Sequence, residues 1–154
     1  SCERMTVVRA PRTPYFTVSP EFVQALVRLL EAKDPSTGAH TWRVVLYTRA
    51  LAEELGVARD VIGRLTVAAA LHDVGKIDIP EAVLLKPGPL TDDERAVMRT
   101  HAALGWERLR RMDEVDPMVL DLVRHHHERL DGAGYPDALR GEAIPAPARW
   151  FAVI

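Results

Sequence analysis

Hydrophobic residues recur at helical spacing in the first third of the chain. Ser19 and Pro20 suit the N-cap and first turn of a helix. Its apolar face is formed by Phe22, Leu26, Leu29 and Leu30. The stretch DPSTGAH, residues 34–40, breaks the pattern, and a second helix is predicted from His40 to Gly56. Its apolar side carries Val44, Leu51 and Leu55.

The middle of the chain predicts a buried helix, a crossing segment and a capped helix. Residues 59–76 are apolar almost all round, which is typical of a helix buried on most sides. Residues 77–90 hold three prolines and a glycine, so we expect an irregular crossing with at most one short helical turn. Thr91 and Glu94 form a capping-box pattern, and the helix that follows is predicted to reach Met112.

The last third predicts one more complete helix and the start of another. The fifth helix should follow Asp116. One of its sides carries Val119, Val123 and either His126 or His127. Residues 131–147 form a loop rich in glycine and proline, and residues 147–154 begin a sixth helix. No segment alternates as a β-strand does. The pattern therefore indicates an all-α bundle of at least five helices over residues 19–154, preceded by a linker at residues 1–18.

Composition narrows the class of protein. The chain has 154 residues, 47% of them hydrophobic, which fits one domain with a substantial core. Its 20 basic and 22 acidic residues nearly balance, which argues against binding of a nucleic acid polymer. The apolar stretches are shorter than the ~20 residues of a membrane span. The single cysteine, Cys2, fits a reducing compartment, so we expect a cytoplasmic location.

The six histidines carry the main chemical signal. They are His40, His72, His101, His125, His126 and His127. Each lies at a predicted helix end or on an apolar face; Val97 and Leu104 flank His101, so its imidazole should point into the bundle. A single such histidine is more simply a core residue bonded to the backbone. Several converging segments indicate a binding site instead.

Imidazole and carboxylate together suit divalent iron, manganese or zinc, and the absence of nearby thiolates argues against a structural zinc site. His72 and Asp73 at a helix end offer a nitrogen ligand and a carboxylate that can bridge two ions. The chemistry indicated is two-metal hydrolysis of a phosphoryl group, with ions ~3.5–4 Å apart. Lys76 would add a cation for a phosphate oxygen, although its spacing equally fits a solvated lysine.

Four motifs together resemble the HD-GYP domain, a bacterial branch of the HD metal-dependent phosphohydrolases. They are HDVGKIDIP at 72–80, LLKPGPLTDDERAVMRTH at 84–101, HHERLDGAGYP at 126–136 and LRGEAIPAPAR at 139–149. The resemblance implies an all-α bundle with two or three metal ions that hydrolyses cyclic di-GMP to pGpG or GMP. On this basis we expect a metal-dependent phosphodiesterase, with Asp73 and Lys76 as catalytic residues.

Carried over by position, the resemblance implies two metal sites that share Asp73. The first comprises His40, His72 and Asp73, and the second comprises Asp73, His101, His126 and His127. Lys76 matches the family's substrate-phosphate lysine, whereas His125 precedes the motif and is not a family ligand. The remaining motif residues orient the histidines or shape the adjoining loop. They are Glu128 and Asp131 as acceptors, Gly132 and Gly134 for backbone freedom, and Tyr135 and Pro136 for stiffness.

The resemblance also implies partners. In the family, the loop that we call the GYP loop (residues 131–136) lies beside the active site and is linked to docking on GGDEF-domain proteins, which synthesise the messenger. The linker would join an upstream sensor or receiver domain.

The chain departs from the family pattern at two places. Ser36 replaces the glutamate of the DPETGxH motif in three-metal members, which favours two ions. We expect these ions to be iron or manganese. The family's closing aspartate ligand belongs just after residues 149–154, so we expect the domain to be incomplete at the C-terminus and to hold its first ion weakly. Two rivals stay open: a catalytically silent docking or sensing module, and hydrolysis of another nucleotide, such as a cyclic GMP-AMP or an alarmone.

Overall fold

The computed structural model describes residues 19–112 and 115–154, which form helices and contain no β-strand. The predicted all-α class is thus confirmed, whereas the predicted linker at residues 1–18 lies outside the described residues. The α-helices are α1 (Pro20–Lys33), α2 (Pro35–Glu54), α3 (Arg59–Leu71), α4 (Glu81–Leu84), α5 (Asp92–Arg99), α6 (His101–Arg110), α7 (Pro117–His125) and α8 (Ala146–Phe151). Two 3₁₀ turns span Val74–Asp78 and Gly141–Ala143.

Helices α1 and α2 are separated by one residue, so the predicted break over residues 34–40 was too long. Asp34 ends α1, and its side chain accepts a hydrogen bond from the Ser36 amide at the start of α2. Pro35 occupies the first turn, where its missing N–H is tolerated. A single capping carboxylate therefore replaces the expected loop, and His40 lies inside α2 rather than at its beginning.

The buried face of α2 differs from the predicted one. Val44 is buried, but Leu55 is 61% exposed, and Leu29 of α1 is likewise exposed at 58%. The buried face of α2 instead consists largely of small residues: Thr37, Gly38, Thr41, Val44, Thr48 and Ala52. Because α2 packs between α1 and α3, these small side chains let the helices approach closely, and leucines at other angles face solvent.

Helix α3 is the central helix that its composition predicts. It packs against α1, α2 and α7, and its Ala68, Ala69 and Leu71 side chains are fully buried. The helix ends at Leu71, so His72 and Asp73 lie just beyond it, before the 3₁₀ turn. In the crossing segment, α4 supplies the one short helical turn that was expected. None of the described helices has the combined length and apolar character that a membrane crossing requires.

The helix predicted from Thr91 to Met112 is two helices. The capping box of Thr91 and Glu94 is present at the start of α5. The chain then turns at Thr100, whose hydroxyl donates to the Val97 carbonyl, and α6 begins at His101. His101 is buried as predicted, although Val97, used to infer its orientation, is 38% exposed. Because of this break, His101 is the first residue of a separate helix, α6, and its side chain is buried.

One lysine ties α1 to the segment that carries the HDxGK motif. Lys33 Nζ donates to the carbonyl oxygens of Ile77 and Ile79, both at 2.5 Å. These carbonyls end the 3₁₀ turn, where backbone acceptors lack helical partners. The ammonium group thus fixes the chain immediately after the turn.

Substituting Lys33 by Met is expected to lower the free energy of unfolding by about 1–3 kcal/mol, because two part-buried carbonyls lose a charged donor. Denaturant unfolding measures the change. Lys86→Met is the matched control: it removes a partly exposed ion pair with Glu94, and a much smaller loss of stability is expected. Equal effects of the two substitutions would contradict this account.

Candidate metal centre

The His72-Asp73 pair is held close to α6 by glycine. The 3₁₀ turn packs on α6, and a Cβ on Gly75 would overlap the His101 carbonyl oxygen and lie 2.5 Å from the Gly105 amide nitrogen. A Cβ on Gly105 would in turn lie 3.0 Å from the Gly75 nitrogen. Backbone therefore meets backbone here, which brings Asp73 and His101 into contact.

The Asp73 carboxylate lies between two groups of histidines. Its Oδ1 is 3.3 Å from His101 Nε2 and 3.7 Å from His126 Nε2. Its Oδ2 is 3.3 Å from His72 Nε2 and 2.7 Å from Lys76 Nζ. Asp73 is only 3% exposed. Each oxygen thus faces a separate group of nitrogens, which is the arrangement of a bridging carboxylate.

Three of the histidines are oriented by carbonyl groups in the last turn of a helix. Nδ1 of His72 donates to the Ala69 carbonyl at 2.6 Å, and Nδ1 of His101 donates to the Met98 carbonyl at 2.7 Å. His126 Nδ1 donates to the Val123 carbonyl at 2.9 Å. A carbonyl can only accept, so each Nδ1 carries the hydrogen and each Nε2 keeps a free lone pair. That lone pair is what a metal ion needs.

Burial favours the neutral form of three imidazoles in this cluster: His40, His126 and His127. It lowers the pKa of His126 to about 4 and that of His127 to about 3, and it also lowers the pKa of His40. Burial acts to raise the pKa of Asp73, but the surrounding imidazoles of His72, His101 and His126 hold it well below its ordinary value. Neutral imidazoles and an ionised carboxylate are the forms that bind metal ions.

Two groups of ligand atoms meet the spacing of metal sites, and they share Asp73. One group is His40, His72 and Asp73, and the other is Asp73, His101, His126 and His127. The structure therefore brings together all six residues that the resemblance implies as ligands. The donor set of nitrogen and oxygen atoms, which includes the free Nε2 atoms of His72, His101 and His126, fits divalent metal ions. A third group, His125, Glu128 and Asp137, is less suited, because Arg124 binds Asp137 through two 2.8 Å hydrogen bonds.

The acidic residues of the HHERLDGAGYP motif bind the loop backbone. Glu128 is buried, and its two oxygens accept hydrogen bonds from the amides of Asp137 at 2.7 Å and Leu139 at 3.0 Å. Asp131 accepts from the Ala133 amide at 2.9 Å. Of the two functions considered from sequence, orienting histidines or shaping the loop, these contacts correspond to the second.

The two glycines of the GYP loop serve different purposes. Gly132 has a positive φ of +79°, which favours glycine. Gly134 has no positive φ; a Cβ there would lie 2.5 Å from both Glu128 Cα and the His127 carbonyl oxygen. Conformational freedom explains the first glycine, and lack of space explains the second. The loop thereby folds back over the histidines.

Comparison with known proteins agrees with this geometry. The model of the HD domain family matches residues 24–154. The chain belongs to the HD domain family. The cyclic di-GMP phosphodiesterase response regulator RpfG of Xanthomonas campestris pv. campestris is 44% identical, over 86% of this chain and 35% of the relative. A cyclic di-GMP phosphodiesterase of Thermotoga maritima is 39% identical, over 81% of this chain and 34% of the relative.

A third relative of this HD domain carries a different name. The 3'3'-cGAMP-specific phosphodiesterase 2 of Vibrio cholerae is 40% identical, over 88% of this chain and 26% of the relative. The chain thus spans about a third or less of the curated relatives it matches. The resemblance to the HD-GYP branch is confirmed by the family match together with these relatives.

Sequence reasoning missed two arginines beside the centre of the HD domain. Tyr135 stacks on His127, with ring centroids 4.7 Å apart and planes 23° apart, and the Arg99 guanidinium lies 5.2 Å from the Tyr135 ring centre. Arg99 and Arg129 also line the pocket next to His126. The available signal for Arg99 was its position two residues before His101.

Gly75→Ala in the HD domain is expected to lower the free energy of unfolding by about 1–3 kcal/mol and to reduce metal content, because the added methyl group forces the 3₁₀ turn away from α6. Denaturant unfolding and elemental analysis measure both effects.

Gly63→Ala is the matched control, since a Cβ there meets nothing within 4 Å. This helical substitution should stabilise the protein by up to about 1 kcal/mol and leave the metal content unchanged. Normal metal content in the Gly75 variant would contradict the account.

Proposed function

We propose that this HD domain is a metal-dependent phosphodiesterase that hydrolyses cyclic di-GMP to pGpG or GMP. The observation that carries the proposal is the position of Asp73, buried beside His72, His101 and His126, whose Nε2 atoms face it with free lone pairs. Relatives at 44% and 39% identity that are named cyclic di-GMP phosphodiesterases support the substrate. Iron or manganese suits the mixed nitrogen and oxygen donors.

The proposed ligands divide as their geometry suggests. His40 and His72 would hold one ion, the group of His101, His126 and His127 would hold the other, and Asp73 would bridge the two. Divalent ions bound in this way stabilise charge on a phosphoryl group and lower the pKa of a bound water. The last-turn carbonyls hold the imidazoles of His72, His101 and His126 in position, so these side chains need not reorganise when a metal ion binds.

Lys76 is proposed to bind the phosphate that is cleaved. Its Nζ lies 2.7 Å from Asp73 Oδ2, and its side chain is 21% exposed. The ammonium group therefore borders both the buried carboxylate and solvent. From there it can donate to a phosphate oxygen and offset the charge that develops during cleavage.

A second candidate substrate is 3'3'-cGAMP. The observation in its favour is the 40% identity with a Vibrio cholerae relative whose name specifies that nucleotide. Both substrates contain two phosphodiesters in one ring, so the proposed metal chemistry is common to them. Parallel assays of the two cyclic dinucleotides distinguish the candidates. A protein that binds metal but cleaves neither would favour the silent docking module.

We further propose that the domain works in the cytoplasm, within a longer signalling protein. The name of the response regulator relative supports an upstream receiver or sensor domain, joined through residues 1–18. The GYP loop is a candidate docking surface for GGDEF-domain proteins. Leu130, just before the loop, is 68% exposed, and Asp131 and Ala133 are also exposed, so a partner could reach this surface.

Asp73→Asn is expected to reduce cyclic di-GMP hydrolysis by at least about a hundredfold and to lower the metal content, because the amide cannot bridge two cations. Steady-state assays and elemental analysis of the full-length protein measure these effects. Asp60→Asn, at an exposed residue of α3, is the control and should behave as the wild type. Retained hydrolysis in the Asp73 variant would refute the proposed mechanism.

Two ions per domain are expected, because Ser36 stands where three-metal members of the family have a glutamate. Ser36 lies one turn before His40 on α2, and its hydroxyl donates to Asp34 at 2.7 Å. Ser36→Glu would place a carboxylate beside His40 and should raise the metal content from two ions to three. Elemental analysis of the full-length protein measures the stoichiometry, with Ser36→Gln as the uncharged control. Three ions in the wild type would contradict this prediction.

A further inference from the structure

A surface pocket of about 500 Å³ adjoins the candidate metal centre on the side of the GYP loop. His126 and His127 form part of its wall, so the pocket is continuous with the proposed metal ligands. Arg99 and Arg129 contribute two cationic groups. Glu128 also lines the pocket, but its carboxylate accepts hydrogen bonds from two loop amides. The pocket therefore suits an anionic ligand.

The two arginines differ in their existing contacts. Arg129 Nη2 lies 2.8 Å from Asp131 Oδ2, so that guanidinium already has a carboxylate partner. Arg99 forms no ion pair with any carboxylate in the part of the chain that the structure describes; its recorded contact is the face of the Tyr135 ring. Of the two, Arg99 has the charge available for an external anion.

The position of Arg99 follows from the ring stack. Any cation in the last turn of α5 would be favoured by the helix dipole. Here the side chain extends over Tyr135, which itself stacks on His127. Because the Arg99 guanidinium lies over the ring through its Cζ, N–H groups that do not face the ring can donate to a phosphate, whose oxygens match their fork geometry. Tyr135 thus connects His127, a proposed metal ligand, to Arg99, which can donate hydrogen bonds to a phosphate.

We propose that Arg99 binds the phosphate of the cyclic dinucleotide that is not being cleaved. This inference rests on the proposed function and deepens it. A cyclic dinucleotide contains two phosphodiesters at a fixed separation. When one is at the metal centre, the other must lie nearby on the protein surface. The pocket that shares His126 and His127 with the centre offers that place, and Arg99 offers the charge.

The test compares Arg99→Ala with Arg95→Ala in the metal-loaded, full-length protein. Arg95 is an exposed arginine one turn earlier on α5; it pairs with Asp92 and does not line the pocket. The substrates are cyclic di-GMP and bis(4-nitrophenyl) phosphate, which has a single phosphodiester. Arg99→Ala should raise KM for cyclic di-GMP about tenfold or more and leave the model substrate within about twofold. Arg99→Lys should be intermediate, and Arg95→Ala should match the wild type.

Equilibrium binding of a non-hydrolysable phosphorothioate analogue of cyclic di-GMP to the metal-loaded protein provides a readout without turnover. Arg99→Ala should weaken binding about tenfold or more relative to Arg95→Ala. Equal losses on both substrates would overturn the inference, since they would indicate damage to the centre or the loop. Unchanged KM and unchanged binding would overturn it as well.

The two proposals can fail separately. A wild-type protein that cleaves neither substrate would refute the phosphodiesterase proposal. The binding experiment still tests Arg99 in that case: analogue binding that Arg99→Ala weakens supports the inference, whereas no binding by the wild type overturns it. Normal cleavage with an unaffected Arg99 variant would leave the function standing and remove only the inference.

Discussion

The candidate metal centre depends on one close contact between backbones. Gly75 in the 3₁₀ turn lies against His101 and Gly105 of α6, where no side chain fits between them. This contact sets the distance between the segment that carries Asp73 and the helix that begins with His101. A larger separation would leave the carboxylate near one group of imidazoles and away from the other. The two proposed metal sites can share Asp73 because no side chain separates the 3₁₀ turn from α6.

A second constraint comes from the ends of helices. The last four carbonyl groups of an α-helix have no partner within it. Carbonyls of this kind at Ala69, Met98 and Val123 accept the Nδ1 hydrogens of His72, His101 and His126. Three helix ends therefore converge on one point, and each satisfies a carbonyl while it orients an imidazole. The same hydrogen bonds therefore stabilise these helix ends and orient the proposed metal ligands.

The sequence predicted the chemistry of the centre better than the shape of the helices. Clustered histidines and Asp73 indicated metal binding because residue type alone carries that information. The break at Asp34 was predicted but made too long, because proline and glycine in residues 35–38 are ordinary loop signals when tertiary packing is unknown. The break at Thr100 was missed because no proline or glycine marks it. Arg99 was missed for another reason: its significance depends on the Tyr135 ring, which is distant in sequence.

Asp34, which ends α1 through its backbone and caps α2 through its side chain, has a consequence for how this region can change in length. Because α2 starts immediately after Asp34, the number of residues between Asp34 and His40 determines which side of α2 carries His40. Inserting one residue between them would rotate every later residue of α2 by about 100° around the helix axis. His40 would then no longer lie close to His72, and the buried face of α2, which includes Thr41 and Thr48, would turn towards solvent. Loops commonly tolerate insertions, but this junction should not, and chains that keep the centre should keep this spacing.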